Sequence, residues 1–212
     1  MATPPQSLQG ATAPGALVGA DAASGPGRVL YADNFASANS GWPLASSDPA
    51  TRRVGYADGG YDVARLAGSA GSPYVMRAER FGDFLLEIDA RLVEPTADAY
   101  VFVDFRRQDS GEHYSFVVAP DEGAFIVRRN TDREGTTLLD WTRTPAIQRG
   151  TAMNRLGIRA QGSEVTLLIN GEEVARARAD DPREGSIGFG VGSLGDGPAE
   201  ARFGNLVVTS VE

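Results

Sequence analysis

The stretch from Phe84 to Val118, FLLEIDARLVEPTADAYVFVDFRRQDSGEHYSFVV, decides the fold class. Two runs with near-perfect apolar/polar alternation are separated by polar, turn-prone residues, and a third follows at once. A period of two is the pattern of strands with one buried face, and short polar breaks between such runs make the strands antiparallel neighbours. On this reading Phe84, Leu86, Ile88 and Ala90 face a core, as do Val101, Val103 and Phe105 on the second run. Tyr114 and Phe116 do so on the third. Glu87, Asp89 and Arg91 then face outward, together with Tyr100, Phe102, Asp104 and Arg106, and with His113 and Ser115.

Working outward, the same pattern predicts strands over 29–35, 53–57, 61–66, 74–78, 84–93, 99–106 and 114–119. It continues over 124–129, 137–141, 155–160, 164–169, 172–177, 185–191 and 201–208. No window after Val29 carries apolar residues at helical spacing. Asp58-Gly59-Gly60 and Asn170-Gly171 have the chemistry of tight hairpin turns. Fourteen short antiparallel strands imply an all-β, two-sheet β-sandwich of one domain over residues 29–212. Residues 1–28 are rich in Ala, Gly, Pro and Ser and lack aromatics. They read as a disordered or extended tail, a flexible linker or an arm that contacts other subunits.

Composition narrows the function classes. The 212-residue chain is 42% hydrophobic, enough for a sizeable core, and its net charge is −8. All 20 basic residues are Arg. An acidic chain of this kind lacks the basic footprint that nucleic acid requires. No apolar run approaches the roughly 18–20 residues of a membrane span, so membrane insertion is not expected. The absence of Cys removes disulfides, thiolate metal sites and a Cys nucleophile. The N-terminus has no charged-then-apolar leader pattern, so the chain reads as cytoplasmic or as starting after a removed leader.

Several short motifs occur in a familiar order. Asp33-Asn34-Phe35 precedes Ser40-Gly41-Trp42-Pro43, Gly59-Gly60-Tyr61 and Phe81-Gly82-Asp83-Phe84. Phe105-Arg106, Gln108-Asp109, Tyr114-Ser115-Phe116 and Trp141-Thr142 follow. Asn154-Arg155-Leu156, Ile169-Asn170-Gly171, Gly185-Ser186-Ile187-Gly188 and Phe203-Gly204-Asn205-Leu206 complete the series. Over about 180 residues, a span whose size suits a single all-β unit, the chain resembles the concanavalin A-like (laminin G-type) jelly-roll domains of bacterial envelope proteins. These include the domain labelled 3-keto-disaccharide hydrolase. The resemblance implies that the first and last strands pair, that a concave sheet carries any ligand, and that the setting is extracellular or the cell envelope.

Candidate chemistry is sparse. In laminarinase-type glycoside hydrolases of this fold a Glu-x-Asp-x-x-Glu strand supplies nucleophile and acid. Glu87-Ile88-Asp89 matches its start, but Arg91 and Leu92 stand where the third carboxylate belongs. Glu87 and Asp89 share a face about 7 Å apart, and a retaining enzyme needs about 5–5.5 Å between carboxyls. They are therefore weak catalytic candidates, or else a solvated charge ladder. If the strands form a meander, Glu87, Asp89, Tyr100, Phe102, Asp104, Arg106 and His113 make one ligand-binding patch: rings for the C–H faces of a pyranose, charges for its hydroxyls. His113, the only histidine, has no nucleophile elbow to serve, and no transition-metal set is present. Calcium is the one cofactor the residues could hold, at Asp33, Asn34 and Asn205 if the terminal strands pair. Trp42 and Trp141 are expected in the core, with an exposed sugar platform as the alternative.

The expected function is a non-catalytic binding module that recognises carbohydrate or a glycan surface. The alternatives are a structural or assembly subunit using residues 1–28, and a glycoside hydrolase-like enzyme.

Overall fold

A computed structural model of the chain describes residues 27–69, 71–94, 98–131 and 134–211. The tail expectation for residues 1–28 lies almost wholly outside the described residues. The strands, in chain order, are β1 (Val29–Asp33), β2 (Arg52–Ala57), β3 (Gly60–Arg65), β4 (Tyr74–Met76), β5 (Phe84–Leu92), β6 (Ala99–Arg107) and β7 (His113–Ala119). Then come β8 (Ala124–Asn130), β9 (Gly135–Arg143), β10 (Asn154–Gln161), β11 (Glu164–Ile169), β12 (Glu172–Arg178), β13 (Ser186–Ser193) and β14 (Ala199–Thr209). No helix occurs among the described residues, and the strands form two antiparallel sheets packed as a sandwich.

One sheet runs β12-β11-β10-β5-β14-β3-β2, with β1 also paired to β14; the other runs β4-β13-β6-β7-β8-β9. The pairing of β1 with β14 brings Asp33 opposite Leu206, as the family resemblance implies. The β11–β12 hairpin turns through Asn170 and Gly171, both at positive φ (54° and 83°), the requirement of the two-residue turn that Asn-Gly favours. β5 alternates buried and half-buried residues along its whole length. Its inward face of Phe84, Leu86, Ile88 and Ala90 meets Val101, Val103, Phe105, Tyr114 and Phe116 of the facing sheet in one core.

One expectation fails at the level of sheet order. β5 and β6 are consecutive in sequence but belong to different sheets: β5 lies between β10 and β14, whereas β6 lies between β13 and β7. The turn after Leu92 is therefore a crossover rather than a hairpin. Glu87 and Asp89 point outward from one sheet, and Tyr100, Phe102 and Asp104 from the other, on opposite sides of the molecule.

β13 shapes the second of these outer faces. Ile187, Phe189 and Val191 point into the core, while Gly188, Gly190 and Gly192 occupy the outward positions between them. A Cβ on Gly192 would lie 2.4 Å from Tyr100 Cζ, and one on Gly190 would lie 2.2 Å from the Pro73 carbonyl oxygen and 2.6 Å from Phe102 Cζ. The bare strand thus lets the Tyr100 and Phe102 rings lie down across it. Gly190→Ala is expected to cost about 1–3 kcal/mol through overpacking, because two of the three nearest obstacles, the Pro73 carbonyl oxygen and Tyr74 Cα, are backbone. Chemical denaturation checks this, and an unchanged midpoint would contradict the close approach.

Candidate functional site

The register of the glycine-floored sheet dictates which side chains meet on its open face. Tyr74, Gly190, Phe102, Val117 and Ile126 form one row across five strands. Gly188, Asp104, Ser115 and Arg128 form the next. His113 lies opposite Asn130, which lies opposite Gly135. Phe102, Val117 and Ile126 make a small apolar floor flanked by Tyr74 and Tyr100. Beside it is a hollow of about 290 Å³ lined by Ser72, Tyr74, Tyr100, Phe102, Asp104, Arg107, His113, Ser115, Val117, Arg128 and Asn130.

Asp104 is the polar hub of this hollow, although its side chain is only 3% exposed. Its Oδ1 accepts a 2.6 Å bond from the Ser115 hydroxyl, which in turn accepts one from the Asn130 amide at 2.9 Å. Its Oδ2 faces Arg107 Nη1 at 3.4 Å and His113 Nε2 at 3.6 Å. Burial pushes the Asp104 carboxyl above the usual carboxylate range, against the pull of His113, the Ser115 hydroxyl and Arg107. His113 Nδ1 lies 2.6 Å from the Gly111 carbonyl oxygen and 3.0 Å from Arg107 Nη1. Arg107 also stacks over the Tyr74 ring, with its Cζ 4.5 Å from the centroid, and donates to the Tyr74 hydroxyl at 2.9 Å. Tyr100 and Ser72 share a hydroxyl–hydroxyl bond of 2.8 Å.

Four of the seven expected ligand-binding residues meet here: Tyr100, Phe102, Asp104 and His113. Arg106 does not. A β-bulge puts Asp104 opposite Gly188 and Arg107 opposite Ser186, so β6 spends three residue steps where β13 spends two. Arg106 sits in the bulge at φ 52°. The extra residue reverses the inside–outside alternation, so Arg106 turns into the core and Arg107 takes the outward place. The Arg106 side chain is fully buried and donates to the carbonyls of Ala179 (2.9 Å) and Gly162 (2.7 Å), with Asp83 at 3.8 Å. Burial pulls its guanidinium below the usual arginine range.

Glu87 and Asp89 are also corrected, since both lie on the far side of the molecule. Asp89 is clamped by Arg155 at 2.8 and 3.2 Å and by the Asn205 amide at 2.8 Å. Burial lifts its carboxyl, but these hydrogen bonds and the Arg155 charge outweigh that and hold it below its ordinary value. Asp89 and Arg155 thus form an ion pair on the outer face of that sheet. The calcium candidates Asp33, Asn34 and Asn205 line one depression beside the β1–β14 pair, and their side chains already serve protein hydrogen bonds. Asp33 accepts from the Phe35 backbone (2.7 Å) and the Trp42 indole (3.0 Å), and Asn34 accepts from the Ala36 backbone (3.0 Å). No group of three or more His, Cys, Asp or Glu side chains placed to hold a metal ion occurs among the described residues.

Trp42 is a core residue packed against Phe35, Tyr61 and Phe189. Trp141 is not: it is 40% exposed on β9 and lines a second depression with Ala119, Ala124, Arg143 and Leu194. Sequence reasoning missed Tyr74, Arg107, Arg128 and Asn130. The last two were reachable, because the outward parity of His113 and Ser115 carries across the β7–β8 hairpin to Asn130 and Arg128.

The fold has many relatives among solved structures. The carbohydrate binding module CBM66 from Bacillus subtilis is 16% identical, with 84% of this chain and 95% of the module aligned at a TM-score of 0.59. A prokaryotic β-1,3-1,4-glucanase (lichenase) derived from a mouse hindgut metagenome is 13% identical, with 85% and 99% aligned at 0.63. The Bacillus licheniformis β-glucanase is 11% identical, with 88% and 99% aligned at 0.62. No curated protein sequence matches the chain. No helix among the described residues is long and apolar enough to cross a membrane. Residues 36–209 match the family described as the 3-keto-alpha-glucoside-1,2-lyase-like domain, and the chain belongs to that family.

Proposed function

We propose that the protein binds carbohydrate in the hollow over β13, β6, β7 and β8 without cleaving it, as a module of the cell envelope or exterior. The observation that carries this reading is a buried polar hub, Asp104 with Ser115, Arg107 and His113, set beside a floor of Phe102, Tyr74 and Tyr100 rings. Aromatic faces cover the C–H side of a sugar ring, and fixed donors and acceptors address its hydroxyls.

Two features favour binding over cleavage. Asp104 is the one carboxylate among the residues lining the hollow, so hydrolysis by paired carboxyls has no second member there. Both nitrogens of His113 face protein groups, Gly111 and Asp104, so the hollow presents no free imidazole base.

Calorimetric titration of the full chain with a panel of oligosaccharides tests the proposal. Binding is expected, and Tyr100→Ala is expected to weaken it about three- to tenfold, while Arg155→Gln on the opposite face leaves it unchanged. Failure of every sugar to bind at millimolar levels would refute the reading, as would binding insensitive to Tyr100.

A further inference from the structure

We infer that the saccharide taken by this hollow is acidic, bearing a carboxylate or sulfate that Arg128 receives beside Arg107. This rests on the binding reading above and specifies its ligand.

Arg128 stands opposite Ser115 in the row that contains Asp104. Its guanidinium extends across Gly135, where a Cβ would lie 2.6 Å from Nη2. It is exposed, it lines the hollow, and among the described residues no acidic or hydrogen-bonding partner engages it. Its sequence neighbour Arg129 behaves in the opposite way, being paired with Glu112 at 2.5 Å.

The charge balance of the hollow is also inverted relative to the chain. The protein carries a net charge of −8. The hollow holds two guanidiniums against a single carboxylate, and burial drives that carboxylate toward its neutral form. A neutral sugar offers no countercharge to the exposed Arg128 guanidinium that lines the hollow. An oxyanion on the sugar supplies the acceptor that a guanidinium fork fits in bidentate geometry.

The probes are trigalacturonate, its fully methyl-esterified form, and a sulfated galactan oligosaccharide, each titrated into the full chain at low salt. At least one of the acidic probes is expected to bind about tenfold or more tightly than the ester. The preference should shrink at about 1 M salt, where the screening length is about 3 Å. Arg128→Gln should abolish the preference, since it removes the charged contact. A preference for trigalacturonate assigns the anion as carboxylate; one confined to the galactan assigns it as sulfate. If the ester binds as tightly as both acidic probes, the inference is wrong and the binding reading survives. If Arg128→Gln retains the preference, the inference is also wrong. If none of the three probes and no member of the neutral panel binds, both fall together.

Discussion

Arg106→Ala is expected to destabilise the fold by about 3–5 kcal/mol, the range found when a buried charged group is removed from its partners. The side chain starts from the bulge in β6 and crosses the core to the other sheet. There it ties down the β10–β11 turn at the Gly162 carbonyl and the segment after β12 at the Ala179 carbonyl. Truncation removes both bonds, leaves the buried Ala179 carbonyl without its donor, and opens a cavity where the aliphatic stem packed. Arg106→Met separates these contributions. It refills most of the stem volume but restores no donor, so about half the loss should remain, roughly 2 kcal/mol. Urea denaturation followed by tryptophan fluorescence measures both, because Trp42 lies in the core. Losses below about 1 kcal/mol for Arg106→Ala would mean that the guanidinium is not locked between the sheets.

The residues that decide this were only partly legible in the sequence. Alternation located all fourteen strands, because each buries one face and the period of two is a direct imprint of that burial. It also assigned Tyr100, Phe102 and Asp104 to an outer face. It could not foresee the bulge. The run Asp104-Phe105-Arg106-Arg107 contains two adjacent arginines, and the one-residue shift that sends the first inward is driven by contacts remote in sequence. Gly185 is one of them: a Cβ there would lie 2.3 Å from the Arg106 carbonyl carbon, so only glycine permits the approach. Sheet order was hidden for a similar reason. A polar break after Leu92 looks the same whether the chain turns back within one sheet or crosses to the other. The misplacement of Glu87 and Asp89 followed from that ambiguity. Tyr74 belongs to a three-residue edge strand whose place beside β13 no local pattern encodes.

Arg107→Met should have the complementary outcome, a loss of ligand affinity of about ten- to hundredfold with a stability loss smaller than that of Arg106→Ala. The Arg107 guanidinium faces the hollow, held over Tyr74 and against Asp104, so its removal takes away a charged donor at the site rather than a tie between the sheets. The two adjacent arginines therefore exchange roles across one peptide bond, and calorimetry paired with denaturation resolves them. A strand without the bulge would give the opposite assignment, with Arg106→Met losing affinity and Arg107→Met losing stability. The Arg107 variant also carries a signature in pH. The Asp104 carboxyl is raised in the folded protein by burial, and Arg107 is one of the groups opposing that rise. Without Arg107 the carboxyl moves further upward. A carboxyl whose folded value exceeds its unfolded value binds more protons in the native state, so stability falls as pH rises through the interval between them. The variant should thus lose most, relative to the parent chain, at neutral pH and above. The difference should close as the pH drops toward about 4, the ordinary range of an aspartate in the unfolded chain. A stability difference that stays constant across that interval would show that Arg107 does not act on the charge of Asp104.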